Sequence, residues 1–182
     1  MYTVDQMIED IIRREGGYND QENDKGGATN QGISLRYAKG VGLDLDGDGD
    51  TDKDDIQMVT PEVAAGLYKK DFFIYPKIDR LPEEIQPLLF DSAVNHGPPR
   101  AIMLLQKVLN LAGFGPMGVD GVIGPKTRAV AEKAQNEMGN FLNNAIVDER
   151  INFYKRIVAN DPSQQKWFRG WMNRANEFWK EV

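Results

Sequence analysis

Apolar residues at Val4, Met7, Ile8, Ile11 and Ile12 recur every three or four positions, the spacing that gathers side chains on one face of an α-helix. The stripe predicts an amphipathic first helix that Gly16-Gly17 ends. Glu15 lies four after Ile11 and seven after Ile8, so it extends the apolar face instead of turning to water. Further on, "TPEVAAGLYKKDFF" offers Thr60 as N-cap, Pro61 at the first helical position and Glu62 in the first turn, all helix-start signals. "PEEIQPLLFDSAVNHG" predicts a helix strained at Pro87 and stopped near Gly97. "RAIMLLQKVLNLAG" sets Ile102, Leu105, Val108, Leu109 and Ala112 on one face and ends at Gly113. From Pro125, "PKTRAVAEKAQNEMG" and "NFLNNAIVDERINFYKRIVAN" predict two more helices. Asp161-Pro162 separates them from a last one, where Trp167, Trp171 and Phe178 share a face expected to join the core. Sustained alternation with a period of two is absent, so the fold is expected to be mainly α.

A chain of 182 residues can bury one sizeable core, or one core with a small lobe appended. The formal charge of -6 argues against a nucleic-acid partner, and 7 of the 28 acidic residues fall between Asp44 and Asp55, leaving the remainder nearly balanced. With no cysteine, disulfides, zinc-thiolate sites and thiol nucleophiles are excluded. His96 is the sole histidine, which excludes histidine triads and multi-histidine metal sites. It follows Asn95 at a predicted helix end, where a bond to a sugar or peptide and a structural cap are equally open readings. The opening "MYTVDQMIEDIIRREGG" has no basic stretch followed by an apolar one, so no Sec signal is read. Apolar runs of about 18 residues are also missing, so cytoplasmic synthesis without membrane insertion is expected.

"DLDGDGDTDKDD" is more specific than a charge run. With Asp44 as position 1, Asp46 falls at 3, Asp48 at 5, Gly49 at 6, Asp50 at 7, Asp52 at 9 and Asp55 at 12. An EF-hand-like Ca²⁺ loop needs side-chain oxygens at 1, 3 and 5, a glycine at 6 for the sharp turn, and a carboxylate at 12. Asp55 replaces the usual glutamate, and Thr51 stands at position 8 where an aliphatic residue is usual. The metal ligands expected are Asp44, Asp46, Asp48, Asp50 and Asp55, holding a structural Ca²⁺ that closes a loop insertion. The plainer alternative is a solvated acidic loop.

Cleaving a glycosidic bond needs a carboxyl group still protonated near neutral pH, so that it can protonate the departing oxygen. An apolar helix face raises the pKa of a carboxyl by desolvation, and the negative end of the helix dipole acts in the same direction. Glu15 meets both conditions. Asp24 follows nine residues on and Thr29 fourteen on, around a glycine-rich turn with room for a bulky ligand. Either could hold a water for attack. Tyr18 could line a cleft and stack on a sugar, or simply pack its loop.

The stretch "EGGYNDQENDKGGATNQGIS" resembles the N-terminal signature of the glycoside hydrolase family 108 muramidases, found in phage endolysins and in bacterial proteins once called secretion activators. Glu15, Gly16, Gly17, Tyr18, Asp24, Gly26, Gly27, Thr29, Gly32 and Ile33 match that pattern. It is also similar to the broader phage-lysozyme layout, except that four residues instead of five separate Asp24 from Thr29. "LFDSAVNHGPPRAIMLLQKVLN" and "VDGVIGPKT" resemble the small peptidoglycan-binding domain that accompanies the family, with Asp91, Asn95, His96, Gly97, Gln106, Asp120, Gly121, Gly124 and Thr127 in place. "FRGWMNR" matches the family's closing helix.

The resemblance implies a lysozyme-like, two-lobed helical fold carrying the calcium-loop insertion. A catalytic lobe over 1–85 and a helical peptidoglycan-binding lobe over 86–182 would enclose a glycan strand. It implies an N-acetylmuramidase in which Glu15 is the general acid, Asp24 or Thr29 assists, and Tyr18, Gly32, Asn95 and His96 touch substrate. No cofactor is expected for catalysis. Peptidoglycan is the expected partner of a monomer that reaches the wall through a holin or another export route. A lytic transglycosylase and a non-catalytic wall-binding secretion accessory protein are the rival readings.

Overall fold

The computed structural model describes residues 3–15, 17–20 and 27–182, the side chains of residues 14 and 15 excepted. The chain divides into two compact units, Met1–Asp71 and Phe72–Val182. Helices dominate both, and a two-stranded hairpin is the sheet among the described residues.

In the first unit, helix α1 (Val4–Glu15) buries Val4, Met7 and Ile8, while Ile11 and Ile12 are half-buried. The apolar face therefore sinks into the core at its start and emerges toward its end. Strands β1 (Thr29–Asn30) and β2 (Ile33–Ser34) pair antiparallel, Thr29 opposite Ser34 and Asn30 opposite Ile33. Helix α2 (Leu35–Val41) starts at Ser34, whose hydroxyl accepts from Tyr37 N–H at 3.2 Å. Helix α3 (Lys53–Gln57) starts at Asp52 in a capping box with Asp55. Buried Asn30 donates its amide to the carbonyls of Ile56 at 3.0 Å and Val59 at 3.1 Å. These bonds tie the hairpin to the end of α3 and to the turn that follows it. Helix α4 (Pro61–Lys69) begins at the Thr60 cap with Pro61 in its first turn, as the sequence predicts, and packs on α1.

A π-helical turn, Lys70–Ile74, spans the boundary between the units. In the second unit, helix α5 (Gln86–His96) starts later than its sequence suggests. Pro87 falls in its first turn, where a missing N–H costs nothing, so the expected strain at Pro87 is absent. Helix α6 (Pro98–Leu111) packs on α5 and buries Ile102, Leu105, Val108 and Leu109 on the expected face. Helices α7 (Pro125–Met138), α8 (Asn140–Asn160) and α9 (Gln165–Asn176) follow, with α8 packed against α6, α7 and α9. Leu88, Leu89, Phe90, Leu104, Leu142 and Ile146 are essentially inaccessible and form the centre of this core.

The aromatic face predicted for the last helix does not sink into the core as expected. Trp167 is 55% exposed, Trp171 only half-buried, and Phe178 lies beyond the end of α9, whose one fully buried residue is Ala175. Periodicity located these side chains on one face, but an arginine on α9 turns that contact into a polar one, described below. Among the described residues, no helix is long and apolar enough to cross a membrane.

Candidate active site and its surroundings

Glu15 is the last residue of α1. Its side chain, and Asp24 altogether, lie outside the described residues. The backbone around them is informative. Asn19, four residues past Glu15, forms a two-way antiparallel bridge with Thr29, each N–H donating to the other's carbonyl at 2.8 Å. Thr29 in turn pairs with Ser34 across the hairpin. Residues far apart in sequence are thus brought to one place, with the end of the glutamate helix leading directly into a small sheet built on Thr29. The Thr29 hydroxyl reaches the Asn19 carbonyl only at 3.5 Å, a weak bond that leaves it available. Tyr18, which precedes the bridging Asn19, is 41% exposed. Gly32 occupies the hairpin turn with φ of 78°.

Asn95 and His96 belong to the second unit, and both are engaged within it. The Asn95 amide donates to the Asp91 carbonyl at 3.1 Å and to its carboxylate at 3.3 Å. His96 Nε2 lies 3.1 Å from the Tyr154 hydroxyl, and its ring meets Phe153 and Tyr154 edge-on. Behind them lies a network that periodicity did not reveal. Asp91 receives Arg150 Nη2 at 2.6 Å and, from α9, Arg174 Nη2 at 2.8 Å and Nε at 3.0 Å. Arg150 is wholly buried, its Nε donates to the Tyr154 hydroxyl at 2.8 Å, and its Nη1 has no partner among the described residues. Tyr154 stacks on Trp171 at 5.3 Å. A charged cluster therefore fastens α5, α8 and α9 where the sequence suggested an apolar contact. The available signal was an arginine lying four residues from Ile146 and Tyr154 on an otherwise buried helical face.

Because the Tyr154 hydroxyl accepts from Arg150, its own proton is free for His96 Nε2, which suits a neutral imidazole. Burial first, and then the Arg150 charge, push the His96 imidazole down to about 4. Unfolded histidine titrates near about 6.5. Between those values the unfolded chain takes up a proton that the fold refuses, so stability falls as pH falls through that window. His96→Gln should keep an acceptor for Tyr154 and lose less stability than the parent between pH 7 and pH 4.5, by on the order of 2 kcal/mol. Urea melts at the two pH values check this.

In the acidic loop the carboxylates gather in two groups, Asp44 with Asp46 and Asp48, and Asp50 with Asp52 and Asp55, the ligand oxygens of each lying within 4.8 Å of one another. Gly49 at position 6 has φ of 95°, a turn closed to most side chains. Asp44 accepts from Gly47 N–H at 2.6 Å and Gly49 N–H at 3.1 Å, leaving lone pairs on both oxygens. The Asp48 charge, then partial desolvation, holds the Asp50 carboxyl above its ordinary range. At Asp46 the bond from Asp48 N–H opposes, but desolvation and the neighbouring carboxylates outweigh it and the net direction is upward. Asp55 is 1% exposed and held low by N–H donors from Leu45 at 2.6 Å and Asp52 at 2.8 Å. Its role in capping α3 was invisible in the motif, which counted it only as a ligand. An all-oxygen, self-repelling donor set around a glycine turn fits a hard cation.

The helical architecture, with a glutamate helix running into a small hairpin, defines a lysozyme-like fold. Residues 8–97 match the family profile described as Glycosyl hydrolase 108, and residues 100–176 match one described as Predicted Peptidoglycan domain. Residues 8–97 belong to the glycosyl hydrolase 108 family. SagA of Brucella abortus has a similar structure, with a TM-score of 0.74 and 28% sequence identity over 95% of this chain and 89% of that one. No curated protein sequence matches the chain. Family and domain together make it a glycoside hydrolase-type protein whose partner is peptidoglycan and whose place of action is the cell wall.

Proposed function

We propose that the protein is a lysozyme-type N-acetylmuramidase, hydrolysing the β-1,4 bond between N-acetylmuramic acid and N-acetylglucosamine. The observation that carries this reading is the placement of Glu15 at the end of α1, four residues before the chain pairs with Thr29. The half-burial of Ile11 and Ile12 supports it, since a general acid must be partly desolvated yet open to a polymer. Glu15 protonates the departing glycosidic oxygen. Asp24 or Thr29 holds the attacking water or steadies the positive charge that develops on the sugar ring. Tyr18 flanks the glycan. Asn95, exposed near the end of α5, and His96, steadied by the Tyr154 hydroxyl, touch substrate from the second unit. The chain acts as a monomer that reaches the wall through a holin or another export route. Incubation with purified sacculi should release reducing muramic acid ends. Anhydro ends would instead assign a lytic transglycosylase, and no release at all would leave a wall-binding protein.

The loop between Asp44 and Asp55 holds a structural Ca²⁺ in this reading, with Asp44, Asp46, Asp48, Asp50 and Asp55 as ligands. A bound cation neutralises the mutual repulsion of these carboxylates and closes the insertion between α2 and α3. Saturating Ca²⁺ at about a hundred times its dissociation constant should stabilise the fold by roughly 2–3 kcal/mol and raise the melting temperature by about 5 °C or more. Asp44→Asn should lose that increment in a thermal melt. An unchanged melting temperature in the parent would leave only a solvated acidic loop.

A further inference from the structure

The second unit carries an open groove of about 520 Å³ that the catalytic reading does not use. That size falls in the about 300–1,000 Å³ range of sites for small ligands. Tyr75 and Lys77 form one wall, Pro98, Pro99 and Ile102 a second, and Val122 stands on the third. Two of these apolar side chains are held out of the core, Tyr75 at 81% exposure and Val122 at 58%. Lys77 adopts φ of 66°, a backbone conformation that residues other than glycine rarely take, and makes no ion pair among the described residues. Such strain concentrates at sites where a side chain is displayed for a purpose.

The third wall is fixed by the "VDGVIGPKT" motif. Gln106 Nε2 donates to Asp120 at 2.8 Å and to the Val122 carbonyl at 3.1 Å, while its oxygen accepts from Gly121 N–H at 2.9 Å. Gly121, with φ of 75°, presses so close to α6 that an added Cβ would lie 2.9 Å from the Pro99 carbonyl. Motif residues that resemble a binding signature therefore act as a clasp. They hold a rigid groove open before any ligand arrives, which lowers the ordering cost of binding.

We propose that this groove binds a muramyl peptide, the N-acetylated sugar with its acidic stem peptide, through Tyr75, the Pro98–Pro99 wall and Lys77. The ammonium takes a carboxylate of the peptide, because the sugar's own carboxyl is spent in the amide that joins the two. The inference rests on the peptidoglycan reading and deepens it. Ile102 and Val122 fall within the part matched as a peptidoglycan domain, whereas Tyr75 and Lys77 precede it, so the site is completed by a segment outside that match. The chemistry selects the occupant. An aromatic face left free accepts the C–H face of a sugar ring, and the carbon-lined recess accepts an N-acetyl methyl. The one ammonium requires an acid, and only the muramyl peptide of the wall brings ring, methyl and carboxylate together. Its negative charge is complementary to Lys77 on a chain that is otherwise acidic.

The test uses the full chain carrying Glu15→Gln, so that sacculi are bound without being digested. Adding Tyr75→Ala should weaken binding about tenfold. Adding Lys77→Asn, which tolerates the positive φ, should weaken it about threefold and flatten its salt dependence. Both side chains are solvent-exposed, so melting temperatures should not move. Soluble N-acetylmuramyl dipeptide should shift the NMR signals of Val122 and Ile102, and chitotriose, which lacks the acid, should do so more weakly. Unchanged sacculus binding in both variants would overturn the proposal, as would chitotriose matching the dipeptide. Release of reducing ends by the parent is scored separately. If the parent cleaves nothing while the variants lose binding, the muramidase reading fails and the groove stands.

Discussion

Replacing Glu15 by glutamine is expected to remove peptidoglycan hydrolysis while leaving the fold intact. Glutamine is nearly isosteric but has no proton to give, so the leaving oxygen would depart as an alkoxide. General acid catalysis contributes typically about 10²–10⁴ in rate, and a loss of at least that size should appear when clearing of sacculi is followed by turbidity. The variant should retain the helical circular dichroism of the parent, because Glu15 is the terminal residue of α1 and the core contacts of that helix are made by Val4, Met7 and Ile8. Thr29→Ala and Asp24→Asn, measured beside it, separate the two candidates for holding the water: the residue that does so should fall furthest. A Glu15→Gln protein that clears as fast as the parent would remove Glu15 from the mechanism.

The largest effect on stability is expected at Asp91. Its carboxylate accepts from Arg150, which is fully buried, and from Arg174. Asp91→Ala leaves a buried guanidinium with no counter-charge and one nitrogen already unpartnered. Breaking a buried pair from one side costs about 3–5 kcal/mol, a large share of the roughly 5–15 kcal/mol by which domains are stable. Urea denaturation at pH 7 should show that loss, together with loosened attachment of α9, whose Arg174 depends on the same carboxylate. Replacing Asp91, Arg150 and Arg174 together by apolar residues should recover much of it, because no charge is then stranded. A cost below about 1 kcal/mol for Asp91→Ala would mean that water reaches the cluster.

Long periodic segments were legible from sequence because burial of a helix face repeats every three or four residues, and α6 shows its expected face buried except at Ala112, which caps the helix end in the open. The short elements were not. Helices α2 and α3 span only 7 and 5 residues, fewer than periodicity needs, and are set by the caps at Ser34 and Asp52. The hairpin of two-residue strands is equally silent, since alternation cannot be read in two positions. Around the candidate site, the sequence identified Glu15 as the continuation of an apolar stripe. The Asn19–Thr29 bridge, a single pairing without alternation on either side, left no pattern to read. Arg150 and Arg174 escaped because charged residues on a helix are ordinarily read as its wet face, and only their common partner Asp91 makes them internal. The groove beside Tyr75 escaped for a similar reason: its walls come from three stretches that are distant along the chain.

The most direct measurement is mass spectrometry of the fragments released from purified sacculi by the parent and by Glu15→Gln, side by side. The parent should release muropeptides with reducing muramic acid ends, heavier by one water than their anhydro counterparts, and Glu15→Gln should release none. Anhydro ends from the parent, or reducing ends from the variant at the parent's rate, would contradict a muramidase that uses Glu15 as its acid.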